Sequence, residues 1–143
     1  MADFFQNGRV TTLHNLNRDG AARLERQLVD FSENTSVTLV LPALYSEFER
    51  PAMARIAEQL QSARFLGRIV LALGQADESQ YLHARSFFDN FRVPVDFLQV
   101  DHPRVLTLLD RLKAAGLDPG PGGKGRACWL AYGYALARRD CDV

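Results

Sequence analysis

Three short apolar runs, each followed by a stretch of helical periodicity, constrain this chain more than any other feature. They are Ser36 to Leu41 ("SVTLVL"), Gly67 to Leu73 ("GRIVLAL") and Val93 to Val100 ("VPVDFLQV"). The first run is β-branched and nearly all apolar, which suits a strand buried on both faces. The third has Pro94 near its start, where a strand tolerates proline.

The segments between them repeat at helical spacing. Asn15 to Phe31 carries Leu24, Leu28 and Phe31 on one helical face, with Asn17 or Asp19 as its N-cap. Pro42 ends the first strand, residues 43–51 form a connecting loop, and Pro51 opens a helix. Met53, Ile56, Ala57 and Leu60 share one face of that helix. Residues 78–91 form the next, anchored by Tyr81, Leu82, Phe87, Phe88 and Phe91. Arg104 to Gly116 follows, with Gly116 as the glycine that closes it. After a Gly/Pro-rich stretch, residues 127–139 form the last helix.

Strands alternating with helices of about 12 residues specify βαβ units and a parallel sheet. Right-handed crossovers put helices on both of its faces. The expected fold is therefore a single Rossmann-like α/β domain over residues 1–143. In a doubly wound sheet a helix leads into a strand. "RRDCDV" stands where strand four should begin, so the domain is expected to be truncated there.

A chain of 143 residues can bury a genuine core. Its 17 basic and 17 acidic residues balance, which leaves no net charge to drive nucleic-acid binding. Cys128 and Cys141 form no metal-type pair and are expected to be free thiols in a reducing compartment. The N-terminus has no signal-peptide pattern. No apolar run approaches the roughly 20 residues that span a bilayer, so a cytoplasmic protein is expected.

Ligands of open α/β sheets bind beyond the carboxyl ends of the strands. The loop after strand one lacks G-x-G-x-x-G. It offers the backbone around Ala43 and Leu44, with Tyr45, Ser46, Glu47 and Glu49, for reading a base or ribose. The other reading, which chemistry alone favours, is an ordinary strand-to-helix loop. After strand two, Asp77 and Ser79 suit a helix cap. After strand three, Asp101, His102 and Arg104 stand at the same edge. His14 and His83 join no constellation. Trp129, Tyr132 and Tyr134 read as core residues of the last helix.

"GPGGKGR" is the most suggestive stretch. Gly120, Gly122, Gly123 and Gly125 surround Lys124 and Arg126. Glycines let backbone N–H groups approach an anion closely, and the helix that follows favours negative charge at its start. The alternative is a flexible loop with solvated charges. It is not a Walker A loop, because Asp118 stands where the first glycine belongs and Gly125 follows the lysine.

The segments "VTLVLPALYSEFERPAM", "GRIVLAL", "GGKGRACWLAYGYALA" and "MADFFQNGRVTTLHNL" resemble the N-terminal part of family-2-like glycosyltransferases. Among these they resemble above all the glucosyl-3-phosphoglycerate synthases and their mannosyl relatives. The resemblance implies a GT-A fold and retaining transfer of a hexose from a nucleotide sugar, UDP-glucose or GDP-mannose. The acceptor it implies is 3-phosphoglycerate or a similar small acid, and the metal Mg²⁺ or Mn²⁺. The family's nucleotide loop falls on Pro42, Ala43, Leu44 and Glu47. Its pyrophosphate-side lysine falls on Lys124, between Gly123 and Gly125. Two departures are Tyr45-Ser46 where the family often has Asn-Glu, and Gly74 where many relatives carry an aspartate.

Asp140 and Asp142 spell the Asp-x-Asp metal pattern of such enzymes. Strand geometry favours another reading. At about 3.3 Å per residue, roughly five or six strand residues are needed to cross a sheet, and only Arg138 and Arg139 precede Asp140. The stretch is better read as the entrance to strand four. The isolated chain is accordingly expected to show no transferase turnover. The competing class is a non-catalytic nucleotide-binding or interaction module, for which an exposed sheet edge would favour a homo-oligomer.

Overall fold

The computed structural model describes residues 18–138. In chain order the elements are α1 (Arg18–Ser32), β1 (Val37–Leu44), α2 (Tyr45–Phe48), α3 (Pro51–Ser62), β2 (Leu66–Gly74), α4 (Glu78–Ser86), β3 (Val95–Gln99), α5 (Pro103–Ala114) and α6 (Lys124–Arg138). The strands form a parallel sheet in the order β1-β2-β3. This is the Rossmann-like α/β architecture that the alternating pattern specifies.

β2 is the centre. Ile69, Val70, Leu71, Ala72 and Leu73 are fully buried, because helices cover both faces of the strand and a neighbour lies on each side. Leu71 and Leu73 point to one face, with Met53, Ala57, Ala84 and Phe88 of the α3 and α4 segments. Val70 and Ala72 point to the other, against Ala127, Ala131 and Ala135 of α6. Three alanines at four-residue spacing form a flat helix face, and this lets α6 lie close against β1 and β2. The packing places the start of α6 at the carboxyl ends of the strands.

Several local expectations are corrected. Pro42 does not end the first strand; it pairs with Ala72 inside β1. Among the described residues β1 has β2 as its one neighbour, and a strand edge accommodates the missing N–H. The connecting loop contains a turn of helix, α2. Its Phe48 is buried against Phe87 and Phe88. α4 stops at Ser86 rather than continuing to Phe91. A turn follows it, in which Phe88 N–H donates to the Arg85 carbonyl and Phe88 packs on Phe91 and Phe97. β3 is shorter than expected.

Helical periodicity located apolar faces but not always their cover. Leu24, Leu28 and Phe31 of α1 are exposed, as are Ile56 and Leu82. Trp129 and Tyr132 are also exposed, so they are not core residues; the alanine face of α6 takes that place, with Tyr134 packed beside it. Asp19 lies inside α1. Asn17, His14, Cys141, Asp140 and Asp142 lie outside the described residues. Cys128 is a free thiol. Among the described residues no helix is long and apolar enough to cross a membrane.

Candidate functional site

The carboxyl ends of the strands and the start of α6 enclose a cleft of about 470 Å³. That lies within the roughly 300–1,000 Å³ typical of small-molecule sites. β1 and α2 contribute Pro42, Ala43, Leu44 and Glu47. The ends of β2 and β3 contribute Gly74, Gln75, Val100 and Asp101. The α6 side contributes Gly122, Gly123, Lys124, Arg126 and Ala127. Two stretches some eighty positions apart in sequence thus meet because β1 and α6 both pack on β2.

Each wall has a local cause. The Glu47 carboxylate accepts the Leu44 N–H at 3.2 Å, which folds α2 back over the end of β1. Gly74 ends β2 where a side chain would crowd its neighbours: a Cβ there would sit 3.3 Å from Leu44 Cδ2 and 3.4 Å from Val100 Cγ2. A side chain at this position would require the Leu44 and Val100 side chains to give by a few tenths of an ångström. Asp101 Oδ2 accepts the Gln75 N–H at 2.7 Å.

The α6 wall is cationic. The helix begins at Lys124, three residues earlier than the sequence reading placed it, and Ala127 N–H donates to the Gly123 carbonyl at 3.0 Å. Lys124 and Arg126 therefore stand in the first turn, where the helix dipole favours an anion. Gly123 has φ 148°, a conformation that side chains disfavour. Gly122 lies so close to the Arg126 guanidinium that a Cβ would stand 2.9 Å from its Nη2. Arg126 Nη1 also donates to the Gly120 carbonyl at 3.5 Å. The exposed Lys124 ammonium has no carboxylate partner among the described residues.

Of the residues singled out in sequence, Pro42, Ala43, Leu44, Glu47, Gly123 and Lys124 share this cleft. Gly125 does not; it borders a second hollow beside Trp129 and Leu117. Tyr45 turns away as well: its hydroxyl lies 3.1 Å from His83 Nδ1 and its ring packs on Phe48. His102 caps α5, accepting the Arg104 N–H on Nδ1 at 3.2 Å, and neither residue lines the cleft. Asp77 caps α4 as expected, accepting the Gln80 N–H and the Ser79 hydroxyl, both at 2.8 Å. The Gln80 hydrogen bond, then the Ser79 one, hold its carboxyl below the usual aspartate range. Gln75, Val100 and Ala127 were missed. The strand-end rule pointed to the first two, since each closes or directly follows a strand.

Among the described residues no group of three or more His, Cys, Asp or Glu side chains could hold a metal ion. Glu47 and Asp101 each already accept a backbone N–H. Asp140 and Asp142, the Asp-x-Asp candidates for the metal, lie outside the described residues.

A protein called glucosyl-3-phosphoglycerate synthase in Persephonella marina is 40% identical to this chain, over all of it and 38% of its own length. The chain is homologous along its whole length to the N-terminal part of that synthase. A protein of the same name from Methanococcoides burtonii is 29% identical, over 99% of this chain and 36% of its own length. The chain thus spans less than two-fifths of these relatives. No family model and no solved structure matches it.

Proposed function

We propose that this chain is the nucleotide-sugar-binding part of a hexosyltransferase. The donor is UDP-glucose or GDP-mannose, and the acceptor is a small phosphorylated acid such as 3-phosphoglycerate. One observation carries the reading: the Pro-Ala-Leu segment with Glu47, and Lys124 at the start of α6, line one cleft. The names of the relatives support the same chemistry.

The residues divide the work. Lys124, Arg126 and the N–H groups opening α6 meet the diphosphate. Two cations and a helix terminus stabilise the charge that develops on a leaving nucleoside diphosphate. The start of α6 is fixed by its packing on the sheet, so its N–H groups need little reorganisation at the moment of bond cleavage. Pro42, Ala43, Leu44 and Glu47 form the wall against which the nucleoside lies. Ala43 is buried, and Pro42, Ala43 and Leu44 belong to β1, so that part of the wall is strand rather than loop.

The test is a calorimetric titration of UDP-glucose, GDP-mannose and UDP into the chain, with and without Mn²⁺, repeated with Lys124→Ala. A charge-assisted hydrogen bond contributes about 1.5–3 kcal/mol, so the variant should bind roughly 10- to 100-fold more weakly. Failure of all three ligands to bind the unaltered chain, or equal binding by the variant, overturns the proposal. Binding without any sugar transfer to 3-phosphoglycerate, even within a longer polypeptide carrying this sequence, would leave the non-catalytic module.

A further inference from the structure

Gln75 is the one non-glycine residue with positive φ among the described residues, at 55°. The left-handed region is disfavoured for residues with a Cβ, and glycine is the usual occupant. Here a residue with a long carboxamide side chain adopts that conformation at the cleft wall. Surrounding structure must hold it there.

Two side chains from the end of β3 do so. Asp101 Oδ2 accepts the Gln75 N–H at 2.7 Å. On the other side, Gln99 Nε2 donates to the Ala76 carbonyl at 2.7 Å. Val100 N–H donates to the Leu73 carbonyl at 2.9 Å, which brings the β3 turn beside the end of β2. The turn after β2 is thus clasped from both sides. Asp77 then begins the α4 cap two residues after Gln75.

A glycine would satisfy this turn without a clasp. A held glutamine is accounted for when its side chain is used. Its carboxamide offers both a donor and an acceptor, which suits hydroxyl or imide groups rather than a diphosphate. The cations of α6 already answer the diphosphate. We infer that Asp101 is a positioning residue: by accepting the Gln75 N–H it fixes the left-handed turn that sets the Gln75 carboxamide against the uncharged polar part of the bound ligand. The inference rests on the nucleotide-sugar reading of the cleft.

Asp101→Asn, Asp101→Ala, Gln75→Ala, Gln75→Gly and the Asp101→Ala/Gln75→Ala pair are compared with Lys124→Ala, using UDP-glucose and GDP-mannose as probes. Asparagine keeps an oxygen acceptor, so Asp101→Asn should bind within threefold of the unaltered chain. Asp101→Ala and Gln75→Ala should each lose about tenfold, and the pair no more than either alone, because both remove one interaction. Gln75→Gly should lose as much as Gln75→Ala although it relieves the backbone. The Gln75 amide should be slow to exchange in the unaltered chain and fast in Asp101→Ala. Unchanged binding by Gln75→Ala, or additive losses in the pair, overturns the inference while a loss in Lys124→Ala keeps the functional reading. Should Asp101→Ala misfold, Gln75→Ala and Gln75→Gly leave the Asp101 carboxylate in place and decide the matter. No binding of either probe to the unaltered chain overturns both.

Discussion

Replacing Ala131 by leucine tests how closely α6 must lie on the sheet. Ala131 is fully buried, packed with Val70, Ala72, Ala127 and Ala135. Leucine adds three carbons where the neighbouring side chains are already in contact, and protein interiors leave little room for them. Overpacking of this kind costs about 1–3 kcal/mol. At about 4 °C per kcal/mol for a domain of this size, the melting temperature should fall by about 4–12 °C. The added bulk sits two helical turns from Lys124, so lifting α6 also shifts the cationic wall of the cleft, and UDP should bind more weakly. The assay pairs thermal unfolding by circular dichroism with calorimetric titration of UDP. Leu136→Gln, on the same helix but 72% exposed, is the control and should change stability by no more than about 0.5 kcal/mol. A variant that melts within about 2 °C of the unaltered chain and binds UDP equally would refute the claim that the alanine face sets the position of α6.

Other consequences can be measured directly. Leu71→Ala removes a fully buried side chain from the centre of β2 and should cost about 2–5 kcal/mol in urea unfolding. A loss below about 1 kcal/mol would contradict the burial of that strand. Asp77 caps α4 with its carboxyl held below the usual aspartate range, so its contribution to stability is present above the unfolded-state pKa and fades as pH falls through the lower folded one. Asp77→Ala should therefore melt below the unaltered chain at pH 7, and the gap should narrow below about pH 4. An unchanged gap at pH 3 would remove the charge from the account.

β2 was legible in sequence because its burial is a property of composition, whereas β1, expected to be buried on both faces, is half-buried, as is β3. "GRIVLAL" has no polar residue after Arg68, and a segment like that is stable only when covered on both faces. Pro42 was misread for a tertiary reason: whether a proline ends a strand depends on which neighbour needs its N–H, and the run of residues does not state that. The same holds for α1 and α6. Spacing announced apolar faces at Leu24, Leu28 and Phe31, and core aromatics at Trp129 and Tyr132, but period alone does not say what covers a face. On α6 the small residues won the sheet, since alanine allows closer approach than tryptophan. Within the site, the glycines and Lys124 were legible as anion chemistry. The Asp101–Gln75 contact was not, because it joins two loops through a backbone conformation that no residue type announces.

The arrangement of the sheet also bears on how the chain acquires its structure. Val37 pairs with Leu66 and Ile69 with Val95, so each pairing closes a loop of roughly 30 residues before any strand contact repays the lost chain entropy. Parallel pairing offers no tight hairpin to begin from. β2 belongs to both pairings and to both hydrophobic layers, so neither neighbour can be recruited until it is in place. Folding of this chain should thus be governed by sequence-distant contacts, slower than a helical bundle of equal length, with β2 as the element around which the others assemble.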